Sequence, residues 1–414
     1  MGQEERVIEE DEGSVRFLVS IYKPIHDYGE YLAKYTPDEA RKNETDVVIL
    51  GSEESNARFG SVPSARPIGE YLRYGFIALD KPQGPTSHEV VAWVRKMLDQ
   101  ERAGHSGTLD PMVSGVLPVG LGEATKALSV LLLGPKEYIA VARLHDSVPA
   151  QVVEDALQSF VGPIYQRPPQ RSSVKRVTRT RTIYEDEVAE RVGNLLLLRI
   201  LCEAGTYVRK FIYDIGEVII VGATMAELRR TRVCHILEGD LVRLHDLFEA
   251  TSVFKESGND EKLRKLVRPI EYAVSFLKQV RIRDSAVESL CQGAQLAVPG
   301  VLAFSSGLKK GEVVRIMTQK GELVAIGESQ MEQAELATAK HGLVTLTRRV
   351  IMAQGTYPKM WKSKREEVGT EEISEQLLKK SILDTLEREQ EDAGTTGEGN
   401  VKKVSPPPPP QSRK

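Results

Sequence analysis

Only three cysteines stand in 414 residues, Cys202, Cys234 and Cys291, each far from the next. Zinc sites need close pairs and disulfide frameworks need more thiols, so three buried, reduced thiols are expected. No run of about 18 apolar residues occurs, so no membrane span is expected. The opening MGQEERVIEEDEG is acidic, with no apolar stretch behind a basic start, unlike a secretory leader. Nor is there an excess of positive charge, since the formal net charge is −3. The distribution says more than the sum: acid gathers near the two ends, and several internal segments are basic.

What is there is ordinary for a globular chain, with 41% hydrophobic and 28% charged residues. The length calls for two or more domains. Residues 1–13 carry Glu4, Glu5, Glu9, Glu10, Asp11 and Glu12 against Arg6 and read as a disordered acidic start. Residues 14–73 mix short apolar runs with Gly, Pro and Asn, and are expected to wrap over a neighbouring domain. From Tyr74 the pattern sharpens. GFIALDK (75–81) reads as a buried strand. Thr86 and Glu89 then stand at capping-box spacing before EVVAWVRKML, which has helical period. EYIAVARL (137–144) and LLLLRILCEA (195–204) read as strands, AQVVEDALQSF (150–160) and YVRKFIYDIGEVI (207–219) as helices. The interleaving predicts an α+β unit over 74–250, a mixed sheet flanked by helices. Over 251–361, short alternating runs separated by glycine turns, Lys320–Gly321 among them, predict a small β-barrel. Residues 362–414 are Lys/Glu-rich and end near Pro406–Pro410, which reads as a solvated tail with a fraying helix.

The segment GHSGTLDPMVSGVLPVG (104–120) is the most informative. Its glycines and Pro111 make a tightly turned loop with an apolar strand behind it, and such loops often hold functional side chains. Asp110 would be presented at the edge of a sheet. By turn chemistry alone an aspartate there is an ordinary turn residue. The basic run Arg167, Arg171, Lys175, Arg176, Arg179 and Arg181, with no acid among them, has the composition of a phosphate-contacting segment.

GHSGTLDP resembles the catalytic motif of the TruB family of pseudouridine synthases, and KPQGPTSH (81–88) resembles that family's first motif. KEY (136–138), RPPQRSSVKRVTRTRTIY (167–184), AGTYVRK (204–210) and MAELRRTR (225–232) continue the resemblance in family order across roughly 74–250. The basic string points to the dyskerin branch, the catalytic subunits of box H/ACA ribonucleoproteins. DSAVESLCQGAQLAVPGV (284–301) and GTYPKMW (355–361) are similar to that branch's PUA domain. ARFGSVPSARPIGEYLRYG (57–75) is similar to its N-terminal extension, in a form closer to the archaeal proteins than the eukaryotic ones.

The resemblance implies an RNA-guided conversion of uridine to pseudouridine in ribosomal RNA or tRNA, without cofactor or metal. The reaction breaks N1–C1′, turns the base and joins C5 to C1′. A carboxylate can attack C1′ or take a proton from C2′, and the resemblance gives that role to Asp110, leaving the route open. Arg209 would face Asp110, fixing it through paired hydrogen bonds. Tyr138 and Tyr207 would hold the extruded base, Tyr138 also serving the C5 proton. Leu228 would line the pocket, and His105 would help hold the RNA open. Lys81 and the basic string (Arg167, Arg171, Lys175, Arg176, Arg179 and Arg181) would contact RNA. Implied partners are an H/ACA guide RNA, the substrate RNA, small H/ACA core proteins and a kink-turn-binding ribosomal-type protein. The implied location is the cytoplasm in an archaeon or the nucleolus in a eukaryote.

Two stretches depart from the family pattern. VCHILEGD follows Arg232 where a Ser-Gly-Pro/Ala-Phe-like turn is usual, and YVRKFIYDIGEVIIVGATM differs from the commoner Arg-Ser/Thr-Leu-Ile and Leu-Gly-Val-Gly strings. They bear on pocket packing and on the turn from helix to strand. Two rivals share much of the pattern, a stand-alone tRNA synthase of the bacterial type and a non-catalytic RNA-binding scaffold.

Overall fold

The computed structural model describes residues 28–167 and 177–359. The acidic start, Arg171, Lys175 and Arg176 of the basic string, and the tail with its fraying helix lie outside the described residues. Strand β1 (Val47–Ile49) lies in the N-terminal segment. A first sheet then takes β2 (Gly75–Lys81), β3 (Ala103–His105), β4 (Ser114–Leu121), β5 (Lys136–Leu144), β6 (Gly162–Gln166), β7 (Arg179–Val192), β8 (Leu195–Cys202), β9 (Ala223–Val233), β10 (Ile236–Leu237) and β11 (Arg268–Pro269). Their order is β11-β2-β4-β9-β5-β8-β7-β6, with β3 beside β4 and β10 beside β9. Only β4 and β9 run parallel among these named pairs, and they share just two positions, Ser114↔Arg229 and Gly115↔Arg230. The sheet is thus mixed and largely antiparallel, as expected.

Helices form where caps and period allow. Helix α1 (Ser87–Met97) starts on the Thr86–Glu89 capping box, with both reciprocal hydrogen bonds made, and buries Val90, Val91 and Val94. Helices α2 (Ala150–Phe160) and α3 (Val208–Val218) cover one face of β5, β8 and β9. They bury Val153, Leu157, Phe211, Ile212 and Ile215 against Ala140, Leu198, Ile200 and Leu228. All three cysteines are free and buried.

The second sheet runs β1-β14-β12-β15-β16-β17-β13, from β12 (Lys278–Ile282), β13 (Leu296–Ala297), β14 (Val301–Ser305), β15 (Val313–Met317), β16 (Leu323–Ser329) and β17 (Leu343–Val350). It curls as a half-barrel around Val280, Phe304, Ile316, Val324 and Tyr357. The N-terminal segment adds an edge strand to it: Val47, Val48 and Ile49 pair antiparallel with Ser305, Phe304 and Ala303. Arg66, only 3% exposed, locks the segment down. Its two terminal nitrogens meet both oxygens of Glu271 at 3.2 and 2.8 Å. Glu271 also accepts the Leu323 amide of β16 at 2.9 Å. One ion pair thus joins the N-terminal segment, the connection between the sheets and the second sheet.

Both departures from the family pattern coincide with backbone strain. Ile220, between α3 and β9, has φ +67°, and Cys234, between β9 and β10, has φ +54°. Left-handed backbone at a β-branched residue is rare and costly.

Candidate active site

Asp110 lies in the loop between β3 and β4. The expectation of a sheet edge is corrected here. Strand β4 sits inside the sheet, between β2 and β9, and the loop stands where the short β4–β9 pairing ends. The reason is topological: β4 and β9 enter from distant parts of the chain and share only two positions, Ser114↔Arg229 and Gly115↔Arg230.

Three buried polar side chains hold the loop. Lys81, at the end of β2, is 0% exposed, and its ammonium donates to the carbonyls of Pro82 (2.9 Å), Pro111 (3.1 Å) and Val113 (2.9 Å). Burial lowers the Lys81 pKa, opposed by the charge of Asp110. Ser87, in the first turn of α1, accepts from the Leu109 amide at 2.9 Å and donates to the Leu109 carbonyl at 3.1 Å. Arg230, 1% exposed, donates from Nε to the Val116 carbonyl at 2.8 Å and from Nη2 to the Gly107 carbonyl at 3.0 Å. Asp110 is flanked on both sides by anchored backbone. The KPQGPTSH motif is therefore a cradle for the loop, and Lys81, expected at the RNA, is instead spent on carbonyls inside the protein. A buried ammonium cannot also meet a phosphate.

Gly115 explains how close the strands come. Its φ is +103°, and a Cβ there would lie 2.1 Å from the Arg230 carbonyl oxygen. Only glycine allows that approach.

Asp110 and Arg209 are brought together from 99 residues apart: Arg209 Nη2 donates to Asp110 Oδ2 at 2.8 Å. Both side chains are more than half exposed, open to a bound substrate. The expected two-pronged pairing is not formed; one nitrogen meets one oxygen. Arg209 sits in the first turn of α3, an 11-residue helix. The start of α3 is fixed by Gln166, 2% exposed at the end of β6. Its side chain accepts from the Tyr207 amide at 2.9 Å and donates to the Tyr207 carbonyl at 3.2 Å.

Tyr138 is on β5, at a register shift between Glu137 and Tyr138, with its ring packed beside the α2–α3 core. Burial pushes its phenol up, while the charge of Arg230 acts in the opposite direction. Leu228, two residues before Arg230 on β9, is buried in the same core. His105 is half-buried, edge-on to His88 with ring centroids 5.0 Å apart. Burial lowers its pKa to about 4, helped by His88 and Arg230, so it is neutral at pH 7. Tyr207 is half-buried directly before α3.

The basic string divides. Arg167 is exposed and Arg179 half-buried. Arg181 turns inward to the Thr180 carbonyl at 2.9 Å and Glu203 at 3.5 Å, with 13% of its side chain exposed. Its charge is thus turned toward the protein, and Arg167 and Arg179 are the more open of the described members of the string. Among the described residues, no group of three His, Cys, Asp or Glu is placed to hold a metal, and no helix is long and apolar enough to cross a membrane.

Sequence reasoning missed Arg230 and Gln166. The first was within reach, because in a strand Leu228 facing the core puts Arg230 on the same face. Gln166 gave no signal, since its partner lies 41 residues away.

Four family models match the chain: the DKCLD domain over 40–91, the TruB family pseudouridylate synthase N-terminal domain over 95–208, the tRNA pseudouridylate synthase B C-terminal domain over 209–275, and the PUA domain over 278–351. A "probable tRNA pseudouridine synthase B" of Methanosarcina barkeri is 48% identical over 335 residues, 81% of this chain and 98% of the relative. A protein of the same description from Pyrobaculum calidifontis is 48% identical over 317 residues, 77% of this chain and 95% of its own length. Among solved structures, a Cbf5-Nop10-Gar1 complex contains a chain 47% identical with TM-score 0.71, covering 76% of this chain and 96% of that one. An H/ACA RNP bound to a substrate RNA containing 2′-deoxyuridine contains one 44% identical with TM-score 0.70, covering 76% and 97%. With its Asp110 loop, its PUA half-barrel and these relatives, the chain belongs to the TruB family of pseudouridine synthases, enzymes that isomerise uridine in RNA, and within it to the dyskerin branch.

Proposed function

We propose that this chain is the catalytic subunit of a box H/ACA ribonucleoprotein, converting guide-selected uridines of ribosomal RNA to pseudouridine, with tRNA a second substrate class. The observation that carries this reading is the likeness over three quarters of the chain to the protein of an H/ACA RNP bound to substrate RNA. The N-terminal segment supports it, since the DKCLD domain model matches it over 40–91 and it joins the PUA sheet as edge strand β1. Partners of the kind named in the similar structures, Nop10 and Gar1, are assigned on the same ground, together with a guide RNA and a kink-turn-binding ribosomal-type protein. The archaeal relatives favour a cytoplasmic site of action.

In this reading the target uridine, unstacked from its RNA, is brought to the exposed Asp110–Arg209 pair. Asp110, steered by Arg209, attacks C1′ or removes the C2′ proton as N1 departs. The base turns against Tyr138, Tyr207 and Leu228, C5 joins C1′, C5 gives up its proton and N1 gains one. His105 is assigned to holding the RNA open. Arg167 and Arg179, with Arg171, Lys175 and Arg176, are assigned to its backbone.

The relatives' names mention tRNA, which suits the rival reading of a stand-alone tRNA synthase. Tritium release from C5-labelled RNA separates the readings. Rates on a guide-paired ribosomal fragment should depend on guide RNA, and equal rates on a tRNA stem-loop with and without guide would favour the rival. Asp110→Asn should lose at least about a thousandfold, roughly 4 kcal/mol of barrier, with RNA affinity kept. Multiple turnover by Asp110→Asn would remove the catalytic assignment.

A further inference from the structure

Four strands place Lys81, Gly115, Arg230 and Tyr138 in one row: Lys81↔Gly115, Gly115↔Arg230 and Arg230↔Tyr138 are cross-strand partners. Arg230 occupies the middle of that row and is 1% exposed. Its hydrogen bonds run to the carbonyls of Val116 and Gly107, and Tyr138 is its cross-strand neighbour on β5. Among the described residues it makes no salt bridge to a carboxylate. A buried guanidinium without a carboxylate is expensive. Two carbonyls could be satisfied by a neutral donor, so holding the loop does not by itself account for a full charge here.

The reaction does give that charge a use. When C5 has joined C1′, it carries both C1′ and its hydrogen. That hydrogen must leave as a proton, its bond pair closing the C5–C6 double bond, while the C6–N1 pair moves to N1 and N1 takes up a proton. The sum is an isomerisation, with one proton lost at C5 and one gained at N1. The Tyr138 phenol can give its proton to N1 through solvent and, as the phenolate so formed, accept the proton from C5.

We propose that Arg230 is a positioning residue that ties the Tyr138 phenol to the Asp110 loop and steadies the phenolate that accepts the C5 proton. The proposal rests on the pseudouridine synthase reading of this site. Through Gly107, three residues before Asp110, and through Tyr138, one side chain sets the spacing between the group that acts at C1′ and the group that acts at C5. Burial raises the Tyr138 phenol above its ordinary value, so the neutral phenol is the resting form, and the charge of Arg230 opposes that shift.

The test uses the full chain and whichever RNA the wild type turns over, a tRNA stem-loop or a guide-paired ribosomal fragment, made with protium or deuterium at C5 of the target uridine. Single-turnover rates are measured for wild type, Arg230→Gln and Arg230→Lys. Arg230→Gln should slow the reaction about a hundredfold, with RNA affinity within about threefold and a protium/deuterium rate ratio rising to about 3 or more, because C5 proton loss becomes limiting. Arg230→Lys keeps the charge but cannot reach both carbonyls and the phenol; it should be about tenfold slower, with the ratio again above wild type. A group that merely braces the loop would slow both isotopic forms equally. An unchanged ratio, or rates within about threefold of wild type, overturns the proposal; if Arg230→Gln does not fold, Arg230→Lys decides by the same ratio. Absence of pseudouridine in the wild-type reaction would instead count against the reading of the site.

Discussion

Replacing Lys81 with methionine separates the role expected of this residue from the one its burial gives it. The side chain is fully buried and its ammonium holds three carbonyls. Methionine fills most of the volume but donates nothing. Pro111 would keep one partner, because the Gly84 amide also donates to its carbonyl at 2.9 Å. The carbonyls of Pro82 and Val113 would lose the donor they share. At about 1–3 kcal/mol for each stranded acceptor, less the relief of no longer burying an ammonium, the loss is about 2–4 kcal/mol. Asp110 lies between the Lys81-bound and Arg230-bound parts of the loop, so a displacement of about 1 Å should also cost up to about a hundredfold in rate. Urea unfolding measures the first effect and single-turnover tritium release the second. A salt titration of RNA binding decides the interpretation: the slope of log affinity against log salt should be unchanged, since no phosphate contact is lost. A stability loss under about 0.5 kcal/mol together with a slope flatter by about one unit would refute the reasoning and return Lys81 to the RNA.

Other positions give independent checks. Burial raises the Asp186 carboxyl to about 6 from 3.8, so the folded state binds its proton more tightly and stability falls as pH rises from about 4 to 6. Discounted for its partial exposure, Asp186→Asn should stabilise by about 1–2 kcal/mol at pH 7.5 and by little at pH 4; the same gain at both pH values in urea unfolding would exclude the linkage. Ile220 is 91% exposed at φ +67°, so Ile220→Gly should raise stability by about 0.5–1 kcal/mol, and a lower denaturation midpoint would show that the turn is not strained. Arg66→Ala strands the buried Glu271 carboxylate and should cost about 3–5 kcal/mol. Arg66→Met with Glu271→Gln should recover much of that, and a double variant no more stable than Arg66→Ala would count against an unpaired charge as the cause.

The sequence by itself determined the local elements. The Thr86–Glu89 box, the strand at 75–81 and the helix beginning near Tyr207 follow from capping, alternation and period, which act over a few residues. It also placed Asp110 and Arg209 in recognisable strings, and the 2.8 Å contact between them joins two such strings. Tertiary structure alone decided the rest. Whether a basic residue meets RNA or the protein depends on which face of which strand it occupies and on what covers that face. Lys81 and Arg181 turn inward for that reason, although both stand in basic or family-like strings. Arg230 and Gln166 acquire their tasks from carbonyls and amides 41 to 123 residues away, and no local pattern encodes those distances. The place of the Asp110 loop in mid-sheet is set because β4 and β9, more than 100 residues apart, meet for just two positions. That geometry is a property of packing rather than of any single segment.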